Sequence, residues 1–153
     1  VPIPPPEVGL VIRYNYLWRR EADRQRSQSK DRPACIVAAI ADTVDRMDVV
    51  LLPITRAPPK DDVPAVELPP KVKEHLGLDP DRSWVIVAEC NVDVWPSPDL
   101  AEIPGRPGRY AYGHLPPRLF RRIRDAFVDR ARAKRVRFTR RQTSTPNSQG
   151  RKP

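Results

Sequence analysis

Apolar residues fall in short runs broken by proline and charge. Residues 9–18 carry Val, Ile, Tyr and Trp in near alternation, which predicts a first strand. Residues 19–31 are charged throughout. A short helix is open to them, but they read better as a long polar loop, and such a loop in a small domain is more often functional or mobile than structural. Residues 33–41 predict a second strand, 42–48 a polar turn and 47–55 a third strand. The third is nearly continuous in apolar residues, so it should be central and covered on both sides. Residues 63–68, flanked by prolines, read as an edge strand. Residues 69–76 read as one or two helical turns stopped by Gly77, and 84–94 as a further strand. Residues 95–108 are irregular and 110–115 a short strand or turn. Pro116-Pro117 opens a helix reaching about residue 134. On it Leu119, Phe120, Ile123, Phe127, Val128 and Ala131 make one apolar stripe, and Arg121, Arg122, Arg124, Asp125, Asp129 and Arg132 take the other face.

The chain of 153 residues is expected to hold one domain, about residues 9–138, after an extended Pro-rich lead at 1–8. From Thr139 on the composition turns to Gln, Thr, Ser, Pro and Asn, and residues 139–153 read as a disordered basic and polar tail. Twenty prolines against six glycines mark many strand ends and loops. The predicted class is mainly β with a C-terminal helix (α+β). The net charge of +9 is unevenly placed: between Arg118 and Arg141 stand 11 basic and 2 acidic residues, whereas residues 1–117 are close to neutral. The C-terminal segment is therefore the part suited to phosphate or an acidic partner. No run of about 18 apolar residues predicts a membrane span, and no secretory pattern is present, so the reading is cytoplasmic. Cys35 and Cys90 fall inside apolar runs and read as buried reduced thiols, with a cross-strand disulfide as the alternative. Two isolated histidines, His75 and His114, give no metal-ligand spacing, and neither a metal nor a cofactor is expected.

The candidate chemistry lies at two strand ends. A charged loop runs through Lys30-Asp31 into Arg32-Pro33 and the second strand, and the third strand ends in Pro53-Ile54-Thr55. If these strands are neighbours, a permanent cation and a hydroxyl stand at one end of the sheet, a combination able to grip a phosphate. The plainer readings are a surface arginine paired with Asp31 and a strand-end hydroxyl capping a turn. Trp18, Trp84 and Trp95 read as core or dimer-contact residues before base-stacking platforms.

The order of these motifs, followed by a strand carrying Arg82-Ser83-Trp84-Val85-Ile86-Val87-Ala88-Glu89 and by the helix, resembles the MazF/PemK family of toxin endoribonucleases over about residues 9–133. Two departures stand out: Leu10 replaces the family's acidic residue after the first glycine, and Cys90 replaces the glutamine after Glu89. The resemblance implies an SH3-like small β-barrel of the MazF/PemK/CcdB type and a homodimer. It implies a metal-independent endoribonuclease that cleaves single-stranded RNA by 2′-hydroxyl attack, held in check by an acidic antitoxin. It makes Arg32 and Thr55 the catalytic pair. Arg19, Arg20, Arg24, Arg26, Lys30 and Arg56 are then expected RNA contacts. Arginine is a poor proton carrier at neutral pH; Glu21, Asp23, Asp31, Glu89 and His114 are available for proton transfer, and spacing does not choose among them. The alternative is a non-catalytic module on the same barrel that binds nucleic acid or a protein partner.

Overall fold

The computed structural model describes residues 3–22, 30–43 and 46–141. Along the chain lie β1 (Leu10–Asn15), α1 (Arg19–Ala22), β2 (Asp31–Thr43), β3 (Arg46–Thr55), β4 (Ala65–Glu67), α2 (Pro70–Leu76), β5 (Trp84–Ile86), β6 (Glu89–Trp95), β7 (Ala111–His114), α3 (Pro117–Arg132) and β8 (Arg137–Arg140). The eight strands form one curled, mostly antiparallel sheet in the order β4-β5-β3-β2-β1-β7, with β6 on β3 and β8 parallel to β6.

β3 is the centre of this sheet, as its continuous apolar run predicts. Residues from Val49 to Thr55 are all buried. One side of β3 pairs with β2. The other is divided: Met47 to Leu51 pair with β6, whereas Ile54 and Thr55 pair with β5. The segment predicted as a single strand over 84–94 therefore breaks at Val87-Ala88. The break lies opposite Leu52-Pro53, and Pro53 has no N–H for a ladder. The register on β3 shifts by three residues between β5 and β6.

Period-2 alternation sends side chains to two cores. One face gathers Val11, Cys35, Val50, Leu52 and Cys90 beneath Phe120, Ile123 and Phe127 of α3. The other gathers Ile12, Tyr14, Tyr16, Trp18, Ile36, Leu51 and Ile86. In α3, Leu119, Phe120, Ile123 and Phe127 are buried, Val128 and Ala131 half-buried, and the six charged residues of the predicted outer face exposed. α2 ends at Gly77, whose φ of 73° is the left-handed conformation that favours glycine, with Gly77 and Leu78 donating back to Glu74 and Lys73 carbonyls. Cys35 and Cys90 are both free and buried.

Two expectations change. The predicted loop at 19–31 contains one turn of helix, α1, and its last residue already belongs to β2; residues 23–29, with Asp23, Arg24 and Arg26, lie outside the described residues. The tail expected from Thr139 begins instead as strand. Thr139 and Arg140 lie in β8, Thr139 is buried, and the Arg141 N–H donates to the Val92 carbonyl at 2.8 Å. Pairing with the edge of β6 overrides the polar composition there, because β6 offers a row of open backbone groups. The lead is also pinned: Trp95 Nε1 donates to the Pro4 carbonyl at 3.0 Å.

Candidate functional site

β2 and β3 put the two motif residues on one face at one end of the sheet. Ala34 is paired with Pro53, and two residues farther along each strand stand Arg32 and Thr55. By alternation both belong to the face of Tyr14, Tyr16 and Trp18. Both line a cavity of about 570 Å³, together with Arg13, Lys30, Arg56 and Lys73.

Arg32 is half-buried and directly across from Tyr14 in β1. Its guanidinium carbon lies 5.2 Å from the centre of the Trp18 ring, and Arg20 lies over the same ring at 5.1 Å. Among the described residues its Nε is buried without a hydrogen-bond partner. Burial pulls the Arg32 pKa below the usual arginine value, and the Glu21 carboxylate opposes this. Arginine retains its charge at neutral pH even so. The result is a cation held by an aromatic face, with donor capacity unspent. Thr55 is nearly buried, and its Oγ1 accepts from the Ala57 N–H at 3.0 Å. That bond leaves the hydroxyl proton free to donate. The turn-capping reading of Thr55 therefore holds alongside its place in the cavity wall.

Thr55 and Ala57 also line a second cavity, of about 960 Å³, so the two spaces adjoin. Trp18, Arg20 and Glu89 line the second. Glu89 Oε1 accepts from Tyr16 Oη at 3.1 Å and from the Arg19 N–H at 3.0 Å. Burial nevertheless holds the Glu89 carboxyl above the usual carboxylate range, against the pull of those donors and of Arg20 and Arg137. A half-buried carboxyl with a raised pKa on a cavity wall is the kind of group that moves protons.

The other predicted residues divide. Glu21 sits in α1, half-buried, close enough to Arg32 to influence its charge. Asp31 is exposed, and its carboxylate accepts from Asn15 Nδ2 at 3.1 Å; it is not spent on Arg32. Lys30 is exposed on the first cavity. Arg56 lines that cavity too, and its guanidinium reaches Asp81 at 3.3 Å and Asp79 at 3.7 Å. Arg19 gives its backbone N–H to Glu89. His114 is not brought to this place. It pairs with Leu10, at the far end of β1 from Tyr14, lines neither cavity, and bonds Glu7 at 2.8 Å. Among the described residues no group of three or more His, Cys, Asp or Glu side chains is arranged to hold a metal, and no helix is long and apolar enough to cross a membrane.

Two polar clusters went unread in the sequence. Glu89, Asn91 and Asp93 alternate along β6 and all turn to the chain leaving β1. Asn91 exchanges two bonds of 2.9 Å with the Leu17 backbone. Asp93 accepts from Tyr14 Oη at 2.7 Å and Ser97 Oγ at 2.6 Å. Arg141 closes the cluster, donating to the Asn15 carbonyl at 2.6 Å and to Asn91 at 3.2 Å, and reaching Asp99 at 3.0 Å. This network anchors the root of the first loop. The signal was present as polar residues at 89, 91 and 93 alternating with apolar ones, but an apolar run hides buried polar groups until their partners are known. The second cluster is Lys73, buried in α2, which donates to Asp79 at 2.9 Å, to Ser83 at 2.7 Å and to the Asp81 carbonyl. It holds the turn before β5 against the first cavity.

No family model, no curated protein and no solved structure matches this chain.

Proposed function

We propose that this chain is a metal-independent endoribonuclease of the MazF/PemK toxin kind, built on an SH3-like barrel and cutting single-stranded RNA. The observation that carries the reading is Arg32: a stacked guanidinium whose buried Nε has no partner among the described residues, lining one cavity with Thr55, which also lines the second.

In the reaction the 2′-oxygen attacks the adjacent phosphorus as its proton passes to a base. The phosphorus–O5′ bond breaks, and the leaving oxygen takes up a proton. The products are a 2′,3′-cyclic phosphate and a 5′-hydroxyl. Arg32 neutralises the phosphorane, for which its planar fork suits two oxygens. The Thr55 hydroxyl adds one donor. Of the available carboxylates, Glu21 beside Arg32 and Glu89 on the cavity wall are the two at hand for proton transfer. A homodimer extends the groove, and an acidic antitoxin segment fills it when the enzyme is held inactive.

The second reading is a module that binds and does not cut. Its support is the basic C-terminal segment and the loss of the family's acidic residue at Leu10 and glutamine at Cys90. Both side chains are buried in the cores and line neither cavity, whereas Glu89 is retained on the cavity wall. These departures therefore remove nothing from the site, which favours the enzyme.

Incubation with single-stranded RNA in excess chelator decides between them. The expected result is cleavage with cyclic-phosphate ends, none on a 2′-deoxy strand, and a loss of about 10²–10³-fold in Arg32→Ala. Full cleavage by Arg32→Ala refutes the assignment; binding without cleavage by the native protein gives the second reading.

A further inference from the structure

The second cavity is lined by two stretches far apart in sequence. One brings Arg130, Lys134, Arg135 and Arg137, from the last turn of α3 to the start of β8. The other, the loop after β3, brings Pro58, Pro59, Val63 and Pro64 together with the charged Lys60 and Asp62. Three of the four cations lie beyond the part of the chain that resembles the toxin family. Arg130 Nε is buried with no partner among the described residues. Lys134 has a φ of 59°, a left-handed conformation that costs a non-glycine residue energy. Lys134 takes that conformation in the turn that ends α3, where its N–H donates to the Ala131 carbonyl, and it lines the cavity.

We infer that this groove is a subsite for the flanking sugar-phosphate backbone of a single-stranded nucleic acid, the continuation of the strand gripped at Arg32 and Thr55. The inference rests on the proposed function and extends it to residues on one side of the cut. A single strand is itself two-sided, with phosphates along one edge and flat apolar bases along the other. Basic side chains and proline rings lining one groove offer partners to both edges. An acidic peptide would match only the first. Thr55 and Ala57 line both cavities, so the groove adjoins the place where Arg32 and Thr55 stand.

The test is binding, read on strands that cannot be cut. Short and long 2′-deoxy oligonucleotides, the long ones extended on the 5′ or the 3′ side, are titrated over a series of salt concentrations. The native protein is expected to bind one extended strand at least tenfold more tightly than the short one, with a steeper salt slope. In R130Q/K134Q/R135Q/R137Q that preference is expected to vanish and the slope to fall by about 0.7 for each phosphate left without its cation. A charge-matched control, R121Q/R122Q/R124Q/R132Q on the exposed face of α3, is expected to keep the preference. Equal binding of short and long strands by the native protein overturns the inference. So does an equal loss in the control, which would mean unspecific attraction, or displacement of the long strand by polyglutamate at lower concentration than by polyuridylate. Because no cleavage is read, a protein that shows the length dependence but cuts nothing loses only the proposed chemistry. One that cuts without the length dependence loses only this groove.

Discussion

Replacing Arg141 by alanine removes a residue that composition assigns to a disordered tail, and the structure gives the change a definite cost. The guanidinium is 13% exposed and meets the Asn15 carbonyl, Asn91 Oδ1 and the Asp99 carboxylate. A hydrogen bond from a charged donor is worth about 1.5–3 kcal/mol, and the contributions do not add fully. Asp99 is 32% exposed, so that pair is screened and counts for under about 1 kcal/mol. Asn91 keeps its bonds to Leu17, whereas the Asn15 carbonyl loses the bond from Arg141. The expected loss is about 2–3 kcal/mol, which for a chain of this size lowers Tm by about 5–10 °C. Urea unfolding followed by tryptophan fluorescence reads it as a lower midpoint at unchanged slope. The pH dependence is a sharper check. Burial raises the Asp99 carboxyl above its ordinary range and Arg141 opposes that rise, so the variant raises it further. A carboxyl raised in the folded state contributes stability below its unfolded pKa and loses it as pH rises through the folded value. The variant should therefore recover part of its deficit as pH falls through the raised Asp99 value toward the ordinary carboxylate range. A loss under about 0.5 kcal/mol, or a deficit that is constant over that window, would refute the role given to Arg141.

Lys73→Met should destabilise by about 2–4 kcal/mol, because the Ser83 hydroxyl and Asp81 carbonyl lose a buried charged donor. Burial pushes the Asp79 carboxyl up, but the Lys73 bond and charge more than reverse it. A depressed carboxyl contributes stability above its unfolded pKa and loses it as pH falls, so the variant should also show a weaker acid-side decline in an unfolding series. The Cys35 and Cys90 thiols are pushed up to about 12 by burial, and for Cys90 also by the Glu89 charge; at pH 8 a thiol reagent should label neither until the protein unfolds, and prompt labelling of the native protein would contradict their burial. Lys134→Gly should relieve the left-handed strain at φ 59° and raise stability by up to about 1 kcal/mol while weakening long-strand binding, two opposite effects read by unfolding and by titration.

Much of the site's frame was legible in the motif spacing. Arg32-Pro33 and Pro53-Ile54-Thr55 lie at the ends of apolar runs of similar length, and antiparallel neighbours of that kind meet end to end. The stripe of α3 was readable because a helix repeats every 3.6 residues whatever it packs against. What holds Arg32 was not legible. Trp18 follows Arg32's strand neighbour β1 by three residues, and only the path of the chain after Asn15 turns its ring beneath the guanidinium. The place of His114 was not legible either: its residue type suits proton transfer, but the pairing with Leu10 carries it to the opposite end of β1.

Local alternation, proline placement and the charge run near the C-terminus determined that this chain forms strands around one central apolar strand, carries an amphipathic helix late in the chain and concentrates cations there. These are one-dimensional properties, set by backbone geometry and side-chain period. Tertiary structure alone decided that β6 and β8 pair, that Arg141 locks the first loop's root, and that the cations after α3 line one cavity with Thr55 and the prolines after β3. Each of these joins residues distant in sequence through register and sheet curl, and neither register nor curl is written in the local composition of the segments that meet.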